Sequence, residues 1–454
     1  MKKSLLIVGL LVLALVFAAC GNGNDDPAPA VDDPPAQDEA PAQDEAPPAQ
    51  DEAPPEDLGD DYIYFYGLHL PVDAPDLLVW MPYEDFAMAL IESFNEQFPM
   101  VTVHWEDVGH GDSRDRMILD GPAGLGGDTF NFPHDQIAFA ILDGQIQPVP
   151  QALEDKWHRE LISTALGTVT HNGAVHAAPF QIENIAMFYN RDLWGPVGPT
   201  TWEEILEFAE DFNDPANHQW TLTWDVNTGF FNVFWLTAGG MQLFGPNNDD
   251  YTRIGFDTPE AARGLEWFQQ MRALFDIPSA DVEFATSEER FRTGASPLTI
   301  TGPWAIHDTL ANGVNLGITS IPTIEGIQPY AFSGVMVSAV STWSTNPWAY
   351  AWIDHIVSES GAAVLYEHRN MMTTRQDISA IPGLSDDPYL SGIARQSPFT
   401  VPMPSIAEVQ FMWAPLDELF RFAWDGELSI EEVQENAMNT YRNSLIMAGR
   451  NVDF

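Results

Sequence analysis

The chain has 454 residues, 45% of them hydrophobic, with 27 Phe, 15 Trp and 11 Tyr; that is enough apolar matter for about two or three domain-sized units and excludes wholesale disorder. Against 67 Asp and Glu stand only 18 Lys and Arg, a formal net charge of −49, so the surface repels phosphate backbones and anionic lipid headgroups, and nucleic acid and peripheral membrane partners are excluded. The one cysteine, Cys20, leaves no intramolecular disulfide and no Cys-based metal site.

Lys2 and Lys3 precede an apolar run, Leu5 to Ala19, that ends in small side chains. The run is shorter than the ~20 residues of a membrane span and has the charged and apolar regions of an export signal, so residues 1–19 read as a leader to be removed. Val16-Phe17-Ala18-Ala19-Cys20-Gly21 resembles a bacterial lipobox, with Phe17 where Leu is usual. That resemblance implies Cys20 as the lipidated first residue of the mature chain, anchored by acyl chains to the outer face of the cell membrane. From Gly21 to Asp61 there are 14 Asp and Glu, 9 Pro and no Lys or Arg. Low hydrophobicity and self-repelling charge predict a disordered tether over 20–61, about 120 Å long if near polyproline geometry. Setting aside the leader's two lysines and the tether's 14 acids leaves −37 on the body, which points to adaptation to alkaline or saline surroundings.

In the body, Leu77-Leu78-Val79-Trp80 reads as a buried strand, 86–94 carries apolar residues at helical spacing, and 101–105 alternates as a second strand. That succession predicts a parallel sheet with helices on its faces. Helix starts follow at Thr201-Trp202, at Thr258-Pro259 and at Asn346-Pro347. Trp348 and Trp352, four apart on one helix, are expected to pack in a core.

Phe188-Tyr189-Asn190-Arg191-Asp192-Leu193 and Thr201-Trp202-Glu203-Glu204, then Phe291-Arg292-Thr293-Gly294, Leu298 to Ala305 and Ile321-Pro322, resemble the extracellular solute-binding proteins of sugar-importing ABC transporters. Asp128 to Asp135, Pro179 to Glu183 and Ile406 to Trp413 bring the resemblance nearest to the maltose/maltodextrin-binding group. The likeness runs from about Asp76 to the C-terminus. It implies an α/β fold of the periplasmic-binding-protein type II, with two lobes, a hinge and a ligand cleft between the lobes. By the same likeness the N-lobe would be 62–181 plus 332–385 and the C-lobe 182–331 plus 386–454.

A pyranose offers C–H faces and a rim of hydroxyls, so its receptor needs flat aromatic rings and fixed polar groups. The resemblance assigns Trp304, Trp413 and Phe132 to stacking, with Phe230 in a region that supplies another aromatic shelf. It assigns Asp135 and Glu183 to hydroxyl binding and places Glu84 and Asp85 where polar groups reach the cleft. Asp135 could equally cap a helix beginning near Gln136. Asp225 and Asn227 are weaker candidates. The sequence departs from the group at Asp85, Gln136 and Asp417, where basic residues flank the cleft, so the polar rim differs and another di- or oligosaccharide is admitted. A glycoside hydrolase needs two carboxylates about 5–10 Å apart, a pattern that 67 acids make uninformative. His104 and His110 read as strand and loop polar residues rather than metal ligands, and 247–250 lacks the spacing of a calcium loop. The expectation is a monomeric, non-enzymatic receptor without cofactor that passes an oligosaccharide to an ABC permease. A cationic or peptide solute is the alternative.

Overall fold

The computed structural model describes residues 59–274 and 276–452, all within one unit, Glu56–Phe454. The leader, Cys20 and the acidic segment as far as residue 58 lie outside the described residues. The last three residues of that segment, Gly59–Asp61, form a 3-10 turn ahead of a hairpin of β1 (Tyr62–Phe65) and β2 (Leu68–Pro71).

The expected strand, helix and strand follow as β3 (Leu77–Trp80), helix Glu84–Gln97 and β4 (Val103–Glu106), the last starting two residues later than its alternation implied. The helix buries Phe86, Ala87, Leu90 and Phe94, the positions that 3.6-residue spacing puts on one face. β3 pairs in parallel with β4 and with β5 (Thr129–Pro133). A small hairpin of β6 (Thr170–His171) and β7 (Ala174–Val175) then leads to β8 (Ala178–Asn184). A single residue, Ile185, separates β8 from β9 (Ala186–Asn190). The remaining strands are β10 (Leu298–Thr301), β11 (Leu316–Thr319), β12 (Ala331–Val340), β13 (Met372–Thr373) and β14 (Thr400–Pro402).

Two main sheets result. The larger runs β13-β8-β12-β5-β3-β4, with β14 added in parallel to the start of β12, and the smaller runs β10-β9-β11. The chain thus leaves one sheet and enters the other across Ile185. β12 joins two cores: Ala331 and Phe332 lie in the core built on helices Gly229–Gly239, Pro259–Gln270 and Trp413–Asp425, whereas Val335 to Val340 lie in the core of the larger sheet. A β-bulge between Met336 and Val337, opposite Gln181 and Pro179 of β8, shifts the register at mid-strand.

The start signals act as expected. Thr201 accepts from the Glu204 N–H at 3.2 Å, Thr258 from Ala261 at 3.2 Å with Pro259 opening its helix, and Asn346 Oδ1 from Trp348 at 3.1 Å. Each satisfies a donor that has no partner within its own helix. Trp348 and Trp352 are fully buried in the larger-sheet core, edge-on to Phe98 and Phe94.

An ion pair is buried beside that core. Asp354 Oδ1 accepts from Lys156 Nζ at 2.6 Å and from Trp157 Nε1 at 2.9 Å, with both charged side chains about 10% exposed. Removing one partner leaves the other ion uncompensated. We expect Asp354→Ala to cost about 3 kcal/mol in urea unfolding. A cost below about 0.5 kcal/mol, the scale of an exposed pair, would mean that Glu160, 3.6 Å from Lys156, carries the lysine alone.

Candidate functional site

Between the two sheets lies a cavity of about 380 Å³, within the range of small-ligand sites. One wall comes from the larger sheet and the turns at its strand ends: Pro133, Asp135 and Gln136 after β5, Gln181 and Glu183 on β8, Met336 on β12, and Tyr83 after β3. The other comes from helix starts and turns: Phe230, Trp304, Gln410 and Trp413. Met336, Met371 and Met403 supply its thioether surface. Strand alternation points Gln181 and Glu183 into the cavity, while Ile182 and Asn184 face a separate, smaller space behind β8. The bulge falls beside Met336 and Gln181, both of which line the cavity.

Trp304 stands in the 3-10 turn Pro303–Ala305 after β10 and packs against all three hydrophobic cores of the described residues. Its ring folds back over Gly302, where any Cβ would collide with the indole; the Gly-Pro-Trp order therefore has a steric cause. Phe230 and Phe231 flank it, each 6.2 Å between ring centroids. Phe230 lies in the first turn of helix Gly229–Gly239 and stacks on Phe332 at 6.5 Å, and Trp413, which opens helix Trp413–Asp425, meets the same phenyl edge-on at 5.7 Å.

Asp135 is buried, and its Oδ2 accepts from Trp413 Nε1 at 3.0 Å and from Gln410 Nε2 at 3.1 Å. Burial pushes this carboxyl up to about 6, against the pull of those two donors. Glu183 Oε2 accepts from Gln181 Nε2 at 2.9 Å. Burial, with the nearby charge of Asp135 adding to it, pushes Glu183 up to about 7. The amide oxygen of Gln136 is buried in the cavity wall with no hydrogen-bond partner, an acceptor for a ligand donor. Just outside, the Val335 N–H donates to His134 Nδ1 at 3.1 Å, so Nε2 carries the hydrogen shared with the Met403 carbonyl at 3.1 Å. Burial holds that imidazole neutral, down to about 4.

Asp135, Glu183, Phe230, Trp304 and Trp413 are therefore gathered on one cavity. Three expected contacts are not. Phe132 is fully buried and stacks on Phe130 at 5.0 Å; β5 continues through Pro133, so period-two alternation turns Phe132 into the core. Glu84 and Asp85 are exposed in the first turn of helix Glu84–Gln97, where they favour the helix N-terminus, and Tyr83 takes the place at the cavity. Asp225 and Asn227 line a second cavity of about 580 Å³ with Asp417. Asp417, expected at a cleft-flanking position, accepts from the Gly229 N–H at 2.7 Å at the start of the helix that bears Phe230. Tyr83, His110 and the glutamines 181 and 410 were not singled out as contacts. Gln181 follows from being two residues before Glu183 on a strand, and Tyr83 from lying at the carboxyl end of a parallel strand.

Residues 89–391 match the family described as bacterial extracellular solute-binding protein. The maltotriose-binding protein of Pyrococcus abyssi is 22% identical over 364 residues, 76% of this chain and 77% of that protein. The maltooligosaccharide ABC transporter solute-binding lipoprotein of Streptococcus pneumoniae is 24% identical over 348 residues, 73% of this chain and 79% of that one. The Thermus thermophilus maltotriose binding protein, bound with maltotriose, matches at a TM-score of 0.74 with 22% identity, over 81% of this chain and 100% of that chain. The fold is thus the two-lobed binding-protein fold that the sequence motifs implied.

The raised carboxyls have a consequence for stability. Glu183 binds its proton more tightly folded than unfolded, so its contribution is fully present below about pH 4.5, the ordinary value, and is lost as pH rises through about 7. We expect Glu183→Gln to unfold at a higher temperature than the parent at pH 8 and to flatten the fall in stability between pH 4.5 and 7. Parallel melting curves for parent and variant across that window would contradict the assignment.

Proposed function

The chain belongs to the bacterial extracellular solute-binding protein family, and on that premise we propose that it is the extracytoplasmic receptor of an ABC importer for a di- or oligosaccharide of the maltodextrin kind. The observation that carries the reading is the convergence of three rings, Phe230, Trp304 and Trp413, on one cavity whose opposite wall holds Asp135, Gln136, Gln181 and Glu183. Rings bury the C–H faces of a pyranose. Carboxyls and amides pair its hydroxyls, and a hydroxyl left unpaired on burial costs about 1–3 kcal/mol, which selects among stereoisomers.

Burial raises both carboxyls, Glu183 to about 7 and Asp135 to about 6, so below neutral pH each can donate to a sugar hydroxyl as well as accept from one. No Lys or Arg side chain lines the cavity, which disfavours an anionic solute. Because the ligand would touch both walls, sugar contacts formed only when the lobes approach would shift the population toward the closed form that a permease recognises. Both walls come from one chain, so a monomer suffices. Cys20 would tether the receptor through its acyl chains, as the word lipoprotein in the name of the Streptococcus pneumoniae relative supports.

Intrinsic tryptophan fluorescence and calorimetry with maltose, maltotriose and maltotetraose test the proposal. We expect saturable binding of at least one of them, no response to spermidine, and no release of product from a chromogenic glycoside. Trp304→Phe, which keeps a ring but shrinks it, should weaken that binding about tenfold, the scale of an aromatic contact. Unchanged affinity would remove Trp304 from the site, and binding of spermidine alone would overturn the saccharide reading.

A further inference from the structure

Resting on the reading of the cavity as a saccharide site, we propose that Tyr83 is a further ligand-stacking ring, from the wall opposite Trp304 and Trp413, and that Arg369 is its positioning residue. Tyr83 lines the cavity with φ +71° and ψ 90°. For a bulky residue this is an outlying conformation that persists only where the surroundings over-determine it. Packing does not explain it, since Tyr83 is 40% exposed. The loop is pinned on both sides instead. The Trp105 indole N–H donates to the Met81 carbonyl at 2.7 Å, and the Tyr83 carbonyl accepts from the Ala87 N–H at 2.9 Å, starting the helix. Pro82 between them has a fixed φ.

The ring itself is clamped. The Arg369 guanidinium lies over it, 3.7 Å from the ring centroid, and His110, also at the cavity, meets it edge-on at 6.1 Å. Arg369 is the last residue of helix Glu359–Arg369, whose end is fixed by Asn370 in the left-handed region, one residue before the cavity methionine Met371. In a chain with 67 acids, Arg369 forms no ion pair among the described residues, and its Nε is buried without a partner. The guanidinium is spent on the tyrosine, over its face and in reach of its hydroxyl. With one face covered by a planar cation and one edge against His110, the remaining surface of the ring is held toward the cavity, so the cost of ordering it is met before ligand arrives.

The test titrates maltotriose, by calorimetry, into the full-length protein and the variants Tyr83→Gly, Tyr83→Phe, Arg369→Met and Arg369→Lys, with ligand-free melting curves alongside. Glycine takes φ +71° without penalty, so we expect Tyr83→Gly to bind about tenfold more weakly while melting no lower than the parent. Tyr83→Phe keeps the ring and should stay within about threefold. Arg369→Met and Arg369→Lys should both lose several-fold, because an ammonium does not stack as a planar guanidinium does. Parent-like affinity in Tyr83→Gly would overturn the inference, as would a weakened Tyr83→Gly that also melts well below the parent. If the parent binds none of maltose, maltotriose and maltotetraose, the saccharide reading itself fails. A parent that binds beside an unaffected Tyr83→Gly leaves that reading standing and removes only the tyrosine.

Discussion

One buried carboxylate ties the site together. Asp135 sits in the turn after β5 of the larger sheet, yet both donors to its Oδ2, Trp413 Nε1 and Gln410 Nε2, come from the opposite wall. The indole that donates is also braced edge-on against Phe332, and Phe332 lies at the start of β12, the strand that enters both cores. Moving Asp135 would therefore release the tryptophan, the glutamine and the contact between walls together. Such a network has interdependent members, and a half-satisfied buried carboxylate costs more than an apolar replacement. The neighbouring His134 reinforces the same junction by bridging the Val335 N–H and the Met403 carbonyl.

Much of this was legible in the sequence, for reasons that are local. Strand and helix periodicity located 77–80 and 86–94, and cap chemistry located the helices that begin after Thr201, Thr258 and Asn346. The Gly302-Pro303-Trp304 order marked its tryptophan because the ring needs a residue without Cβ beneath it. Phe132 was misassigned because one further residue of strand decides which face a side chain takes, and element ends are where periodicity is weakest. Glu84 and Asp85 were misplaced by one and two positions at a turn whose backbone leaves the ordinary regions at Tyr83. No pattern of residue types announces a tyrosine in that conformation. The stacking of Arg369 on Tyr83 joins positions 286 apart in the chain and is set only by the fold.

The three positions expected to depart from the maltodextrin-binding pattern have separate physical settings. Asp417 is recruited to the start of the helix bearing Phe230, Gln136 offers an unpaired oxygen to the cavity, and Asp85 lies on the surface. Only the second of these alters what the cavity can hold. The fold is that of the family, while the cavity lining is set by side chains that the fold does not fix, which is how one scaffold comes to serve different ligands.

The three methionines give the cavity a further property. Thioethers are soft and conform to an irregular ligand edge, but each can take up an oxygen atom and become a polar, chiral sulfoxide. All three are nearly buried, Met336 at 3%, Met371 at 2% and Met403 at 4% exposure, so an oxidant would reach their sulfurs only by way of the cavity, and a ligand seated there would shield them. Met403 belongs to one hydrophobic core and Met336 and Met371 to another, so a sulfoxide at any of them would disturb ligand contact and core packing together.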